Sequence, residues 1–179
     1  MPDVKATIAA FSRAVLTPEE WFRTADELTA AMVLLEPNVK QHWEYYRALV
    51  RDEKTEMVPP KQDLVSVHMM LAGFAIENLC KGYLAGQLSP KERTDAKAGV
   101  LPKSLNSHNL VELMEDSGMT LSHSEKYLVE RLGETVVWRG RYPSALSHKG
   151  LRPFPQIGSD IDRIKRLLSR LRRHVGAPI

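Results

Sequence analysis

Hydrophobic residues recur at helical intervals along nearly the whole chain. In "NVKQHWEYYRALVRDE", Val39, Trp43, Tyr46 and Val50 follow one another at steps of four, three and four, which puts them on one face of a helix. Leu128, Leu132 and Val136, with Tyr127 and Thr135 beside them, repeat the pattern in "SHSEKYLVERLGETVVWRG". Ile161, Ile164, Leu168, Leu171 and Val175 form a third apolar stripe near the end. One segment differs. From about Lys61 to Leu84 the chain is apolar on nearly every side, which predicts a central helix enclosed by the others. Gly73 and Ala72 within it would let a neighbour approach closely. No stretch alternates with the period of a strand, and neither an internal repeat nor a low-complexity segment is present. The expectation is an all-α bundle of about six helices.

Start and stop signals divide the pattern. Thr17 is the expected N-cap of a helix with Pro18 in its first position and Glu20 completing a capping box. Pro37 is expected to end or kink that helix, because it lacks an amide proton and its ring crowds the preceding turn. Pro59-Pro60 forbids helix just upstream, so "KTEMVPPKQ" reads as a connection. Gly86 is the expected stop of the buried helix, and residues 87–106, with Pro90, Gly99 and Pro102, read as a long polar loop. Ser107 is expected to cap "HNLVELMEDS", which Gly118 ends. Ser122 and Glu125 form a capping box for the next helix, stopped by Gly140 and Pro143. Ser159 is expected to cap the last helix, with Asp160 and Asp162 where the helix dipole favours negative charge.

Composition narrows the class. With 179 residues, 43% of them hydrophobic and 26% charged, the chain suits one folded domain over 1–179 and not a disordered polymer. A net charge of +3 permits a polyanionic partner without demanding one. The single cysteine, Cys80, excludes an internal disulfide and points to a reducing, cytoplasmic location. No signal peptide is expected from the first residues. The longest apolar run, Leu64–Ile76, is interrupted by Ser66, His68 and Gly73, so no membrane span is expected.

Chemistry is sparse. Glycine-rich phosphate loops, HExxH, CxxC and G-x-S-x-G are absent, as is the Glu-x-x-His pair of di-metal bundles, so neither a metal nor a cofactor is expected. His68 reads as a core histidine, and His42 and His123 as surface residues. Arg163, Lys165, Arg166, Arg170, Arg172 and Arg173 line the polar side of the last helix. They can track a phosphate backbone or simply form its solvated face. "WRGRYPSALSH" gathers Arg139, Arg141, Tyr142 and His148, all groups able to act on a phosphate, around a helix-breaking proline.

Three spaced elements carry a resemblance. "AIENLCKGYL" contains Ala75, Glu77 and Lys81; "SHNLVEL" contains His108 and Leu110; "RYP" begins at Arg141. In this order they resemble the HEPN domains (higher eukaryotes and prokaryotes nucleotide-binding), with their "A-x-E-x-x-x-K" helix, "H-[DN]-L-x-x-L" and "RYP". The resemblance covers roughly 61–148. It leaves residues 1–55 as a helical extension and 159–175 as an added basic C-terminal helix.

The resemblance implies a HEPN-like up-and-down helical bundle, usually a homodimer. It also implies, in many members, a metal-independent endoribonuclease with an Arg, four to six residues, then His. Arg141 and His148 fit that motif, with six residues between them. On this reading they are the catalytic pair, with Arg139, Tyr142, His108, Glu77 and Lys81 around the substrate. RNA or a nucleotide, and an antitoxin or other protein, are the implied partners. Where family members carry a tyrosine two residues after the histidine, this chain has Gly150. Two alternatives stay open. Arg141 can be read as a structural partner of Glu77, and the whole as a non-catalytic module that binds a nucleotide, nucleic acid or protein. For His108, capping its own helix start is the plainer account.

Overall fold

A computed structural model describes residues 3–51, 58–140 and 157–178, with the side chain of Trp138 left aside. Among the described residues the chain is all helical and contains no strand. In order come α1 (Val4–Leu16), α2 (Pro18–Val50), α3 (Val65–Gln87), α4 (Pro90–Lys97), a 3-10 turn (Lys103–Leu105), α5 (Leu110–Asp116), α6 (His123–Glu134), which continues as a π turn (Thr135–Arg139), and α7 (Asp160–His174).

α3 is the axis of the bundle. It packs against α1, α2, α5, α6 and α7, most extensively against α2. Its own Met69, Ala72, Ala75, Ile76, Leu79 and Cys80 are buried. α2 lies antiparallel to it, with Phe22 over Gly82 and Glu36 near His68. α6 and its π turn also run antiparallel, with Val136 beside Gly73 and Gly140 beside Met70. A Cβ at Gly73 would sit 2.5 Å from Val136 Cγ2, so the absence of a side chain there is what allows this approach, as its place in the buried segment suggests. Phe22, Met32 and Trp43 of α2 share one core with Ile164, Leu168 and Leu171 of α7. Burying an aliphatic side chain of this size contributes roughly 1.5–3 kcal/mol. A smaller cluster, with Val15, Ala85, Leu88, Ala96 and Leu105, holds α1 and α4 against the end of α3. No helix among the described residues is long and apolar enough to cross a membrane.

Several local expectations are corrected. The two helices expected on either side of Pro37 are one, running from Pro18 to Val50. Pro37 sits on the exposed side, where the carbonyl of Val33, deprived of its amide partner, can turn to water. Meanwhile Met32, Glu36, Val39 and Trp43 continue the buried face through it. Thr17 and Ser159 make no side-chain capping bond. Gly86 lies inside α3, which ends one residue later. The expected loop 87–106 contains α4, started by a full capping box between Ser89 and Glu92 with Pro90 in first position. Asn109, not Ser107, caps α5. Gly118 does end α5, with φ +80° just beyond the cap. The Ser122–Glu125 box at the start of α6 is present.

Charged pairs tie the outer helices together. Arg131 of α6 makes two bonds to Asp160 of α7, at 2.6 and 2.9 Å, and both residues are buried. Lys165 of α7 reaches Glu36 of α2 at 2.7 Å, and Arg172 pairs with Asp26. His68 is buried, as its place in the sequence implies, and its Nε2 makes no hydrogen bond among the described residues.

Two outcomes follow. Pro37→Ala restores an amide donor within a continuous helix and should raise stability by about 1–3 kcal/mol in urea unfolding. A gain is not expected if the chain bends away from helix there. Burial holds His68 below its ordinary 6.5, against the attraction of Glu36 and with help from the repulsion of Lys165. A lowered folded value means that the unfolded chain binds the proton more readily. Its contribution is therefore present above pH 6.5 and is lost as pH falls through the folded value. The urea midpoint should fall between about pH 7.5 and about pH 5, and His68→Met should shrink that fall. The lowered carboxyls of Glu92 and Glu125 start from 4.5, beneath this window.

Candidate functional site

Glu77 and Lys81 are one helical turn apart on α3, so their side chains lie on the same face. Lys81 Nζ donates to Glu77 Oε1 at 2.7 Å. Glu77 is only 5% and Lys81 only 4% exposed. A buried charge is tolerable only when its counter-charge is at hand, and here each supplies the other's. The Trp21 ring centroid lies 6.0 Å from Lys81 Nζ, at the outer range of a cation–π contact. Trp21 is itself fixed by a bond from its indole nitrogen to the carbonyl of Val15 at 3.1 Å.

His108 arrives from another part of the chain. Asn109 caps α5 by accepting from the amide of Glu112, while Ser107 accepts from the amide of Asn109. That turn leaves the His108 side chain free to face α3. Its Nδ1 stands 3.0 and 3.1 Å from the two Glu77 oxygens. With Glu77 ionised, Nδ1 is the donor, so the carboxylate selects the ring's tautomer. The ring is anchored at one nitrogen, yet its side chain remains 62% exposed. An open groove of about 420 Å³ runs from His108 between α5 and α6, walled by Val111, Val129, Gly133 and Val137.

Of the sequence-derived site residues, then, the structure brings Glu77, Lys81 and His108 together. Arg139 is elsewhere. Its Nε donates to Glu134 Oε2, on the last residue of α6, at 3.1 Å across the π turn. Gly140 follows directly, closed by a bond from its amide to the carbonyl of Thr135 at 3.1 Å. A Cβ at Gly140 would come 2.5 Å from Met70 Cβ. Met70 precedes Glu77 by seven residues, roughly 10 Å along α3. Arg141, Tyr142 and His148 lie outside the described residues.

Sequence reasoning overlooked a second feature, an open groove of about 600 Å³ between the start of α6 and α7. Arg163, Lys165, Arg166, Arg170 and Arg173 line it with Ser122, Ser124 and a single carboxylate, Glu125. Burial raises the Glu125 carboxyl, but hydrogen bonds from Ser122 and the charges of Arg170 and Arg163 outweigh it and hold the group below its usual range. The cations on α7 were legible as a set. What could have been added from the sequence is that Arg163, Arg166, Arg170 and Arg173 fall at steps of three, four and three and so form one stripe. Asp160, read as a dipole-favoured residue, turned out to be the buried partner of Arg131. Among the described residues, no group of three His, Cys, Asp or Glu side chains is placed to hold a metal ion.

Compared with protein-family models, with curated proteins and with solved structures, the chain matches none.

The buried pair allows a direct test of its structural weight. Glu77→Ala leaves Lys81 without its counter-charge and should lower stability by about 3–5 kcal/mol in urea unfolding. Replacing both, Glu77→Leu with Lys81→Met, should recover most of that loss, since an apolar pair of similar volume removes both desolvation terms. No recovery would mean that the cluster stabilises the fold through other contacts.

Proposed function

We propose that this protein is a HEPN-like, metal-independent endoribonuclease, acting as a homodimer in the cytoplasm as a toxin or as a defence or stress effector. One observation supports the reading most. Two of the sequence elements that carry the resemblance, far apart in the chain, meet in space: Glu77 and Lys81 on α3, and His108 ahead of α5, join in one cluster with bonds of 2.7–3.1 Å. In this reading the cluster braces the bundle, and Arg141 and His148 do the chemistry.

The reaction needs two proton transfers. One His148 takes the proton from a ribose 2′-hydroxyl as its oxygen bonds to the adjacent phosphorus. The His148 of the second copy gives a proton to the departing 5′-oxygen as the P–O5′ bond breaks. Histidine is suited to both roles near neutral pH. Arg141 offers a permanent charge and a planar fork to the phosphorane oxygens, while Arg139 and Tyr142 hold the flanking substrate. The products are a 2′,3′-cyclic phosphate and a 5′-hydroxyl. Because one chain supplies one such histidine, the dimer is part of the mechanism.

A second reading is a non-catalytic HEPN-like module that holds a nucleotide, a nucleic acid or a protein, an antitoxin included. It is favoured by the location of the basic groove on α7, a helix outside the stretch that carries the resemblance.

The test is incubation of the pure protein with labelled structured RNA in excess EDTA, alongside His148→Ala. The wild type should cleave and leave 2′,3′-cyclic ends, and the variant should be slower by about 100-fold or more. Equal cleavage by both removes His148 from the mechanism. Absence of cleavage by either, with RNA still bound, moves the reading to the binding module.

A further inference from the structure

The six cations of α7 do not form one uniform face. Lys165 is turned to Glu36, at 2.7 Å, and Arg172 to Asp26, both on α2. The other four form the stripe that faces α6, and they divide again. Arg163 is fixed by donating to the carbonyl of Ser124 at 2.6 Å and by Asp160 at 3.3 Å. Arg170 is fixed by the carbonyl of Thr120 at 3.2 Å and by Glu125 at 2.8 Å. Arg166 and Arg173 are exposed and have no hydrogen-bond or ion-pair partner among the described residues. Two cations are thus committed to holding the wall of the groove, and two are left to a ligand.

We propose that this groove is where a single-stranded RNA lays its phosphate backbone, with Arg166 and Arg173 as its phosphate-binding residues. The inference rests on the reading of the protein as one that acts on RNA, and it names where that RNA is held.

Geometry favours a linear polyanion over a lone anion. Arg166 and Arg173 are seven residues apart on one face of α7, so they stand roughly 10 Å apart along the axis. Side chains that extend outward at that spacing suit successive phosphates of a strand better than a single one. Each guanidinium offers a planar fork to phosphate oxygens. Ser122 and Ser124 line the opposite wall. Glu125, the one carboxylate among the described residues of the groove's lining, is already taken up by Ser122 and Arg170, so it does not cancel the two free charges. Both arginines project from the side of α7 away from its buried face of Ile164, Leu167, Leu168 and Leu171, so removing their charge leaves the core intact.

The experiment measures fluorescence anisotropy with a labelled 2′-O-methyl oligouridine, which cannot undergo 2′-hydroxyl attack, so binding is read apart from cleavage. Arg166→Gln/Arg173→Gln is compared with Lys91→Gln/Lys97→Gln, which removes the same charge from exposed positions on α4. Circular dichroism checks that both remain folded. The wild type should bind with an affinity that falls steeply as salt rises. The groove variant should bind about 10-fold or more weakly, with a salt slope shallower by about two, while the α4 variant stays within about twofold. An equal loss in both variants, no binding by the wild type, or equally tight binding of polyglutamate would overturn the assignment. Cleavage assays on unmodified RNA separate the two readings. Binding lost from the groove variant without any wild-type cleavage leaves the groove standing and the nuclease fallen. Wild-type cleavage with unchanged binding by the groove variant does the reverse.

Discussion

A helix that is apolar around its whole circumference must be enclosed on every side, and α3 sets that requirement for the rest of the chain. α2 covers one flank over much of its length, α6 and its π turn another, and α5 and α7 close the remainder. The outer helices are amphipathic because each turns one face to the shared core and leaves the other to solvent. The ion pairs between them, Arg131 with Asp160 and Lys165 with Glu36, lie at the seams of this jacket. They fix which helix adjoins which, a role the non-directional hydrophobic effect performs poorly.

Within this axis the pair Glu77 and Lys81 is an exception that needs its own support. Two charges in a dry interior are stable only as a unit, and that unit has acquired a third member in His108. The result is a fixed link between the centre of the bundle and its surface. One end of that link is buried and charged, and the other is an imidazole open to solvent beside an apolar groove.

Much of this was legible from the periodicity of the chain. The all-helical class, the buried status of α3, the box at Ser122 and the stop at Gly118 all depend on neighbours within a few residues. The corrections share a different cause. Pro37 breaks a local rule, but a continuous buried face from Met32 to Trp43 overrides it. α4 was hidden because its composition is polar, and only Ala96 is buried, although Ser89, Pro90 and Glu92 spelled its start. The meeting of His108 with Glu77 joins residues 31 apart and depends on how α5 docks, which no spacing rule encodes. The division of α7's arginines into structural and free ones was equally out of reach, because most of their partners lie on α2, on α6 or in the turn before α6. Arg141, Tyr142 and His148, the heart of the sequence argument, lie outside the described residues.

The π turn at Thr135–Arg139 has a geometric consequence. Each residue of an α-helix advances the chain by about 100° around the axis, so a turn holding one residue more shifts the phase of the residue that closes it, Gly140, by that angle. The bond from the Gly140 amide to the carbonyl of Thr135 fixes this shift at the point where α6 ends. Removing a single residue between them would leave α6 itself intact while turning Gly140 away from Met70. That short turn acts as a compass for the end of the helix, aiming a residue without a side chain at a tight spot against α3.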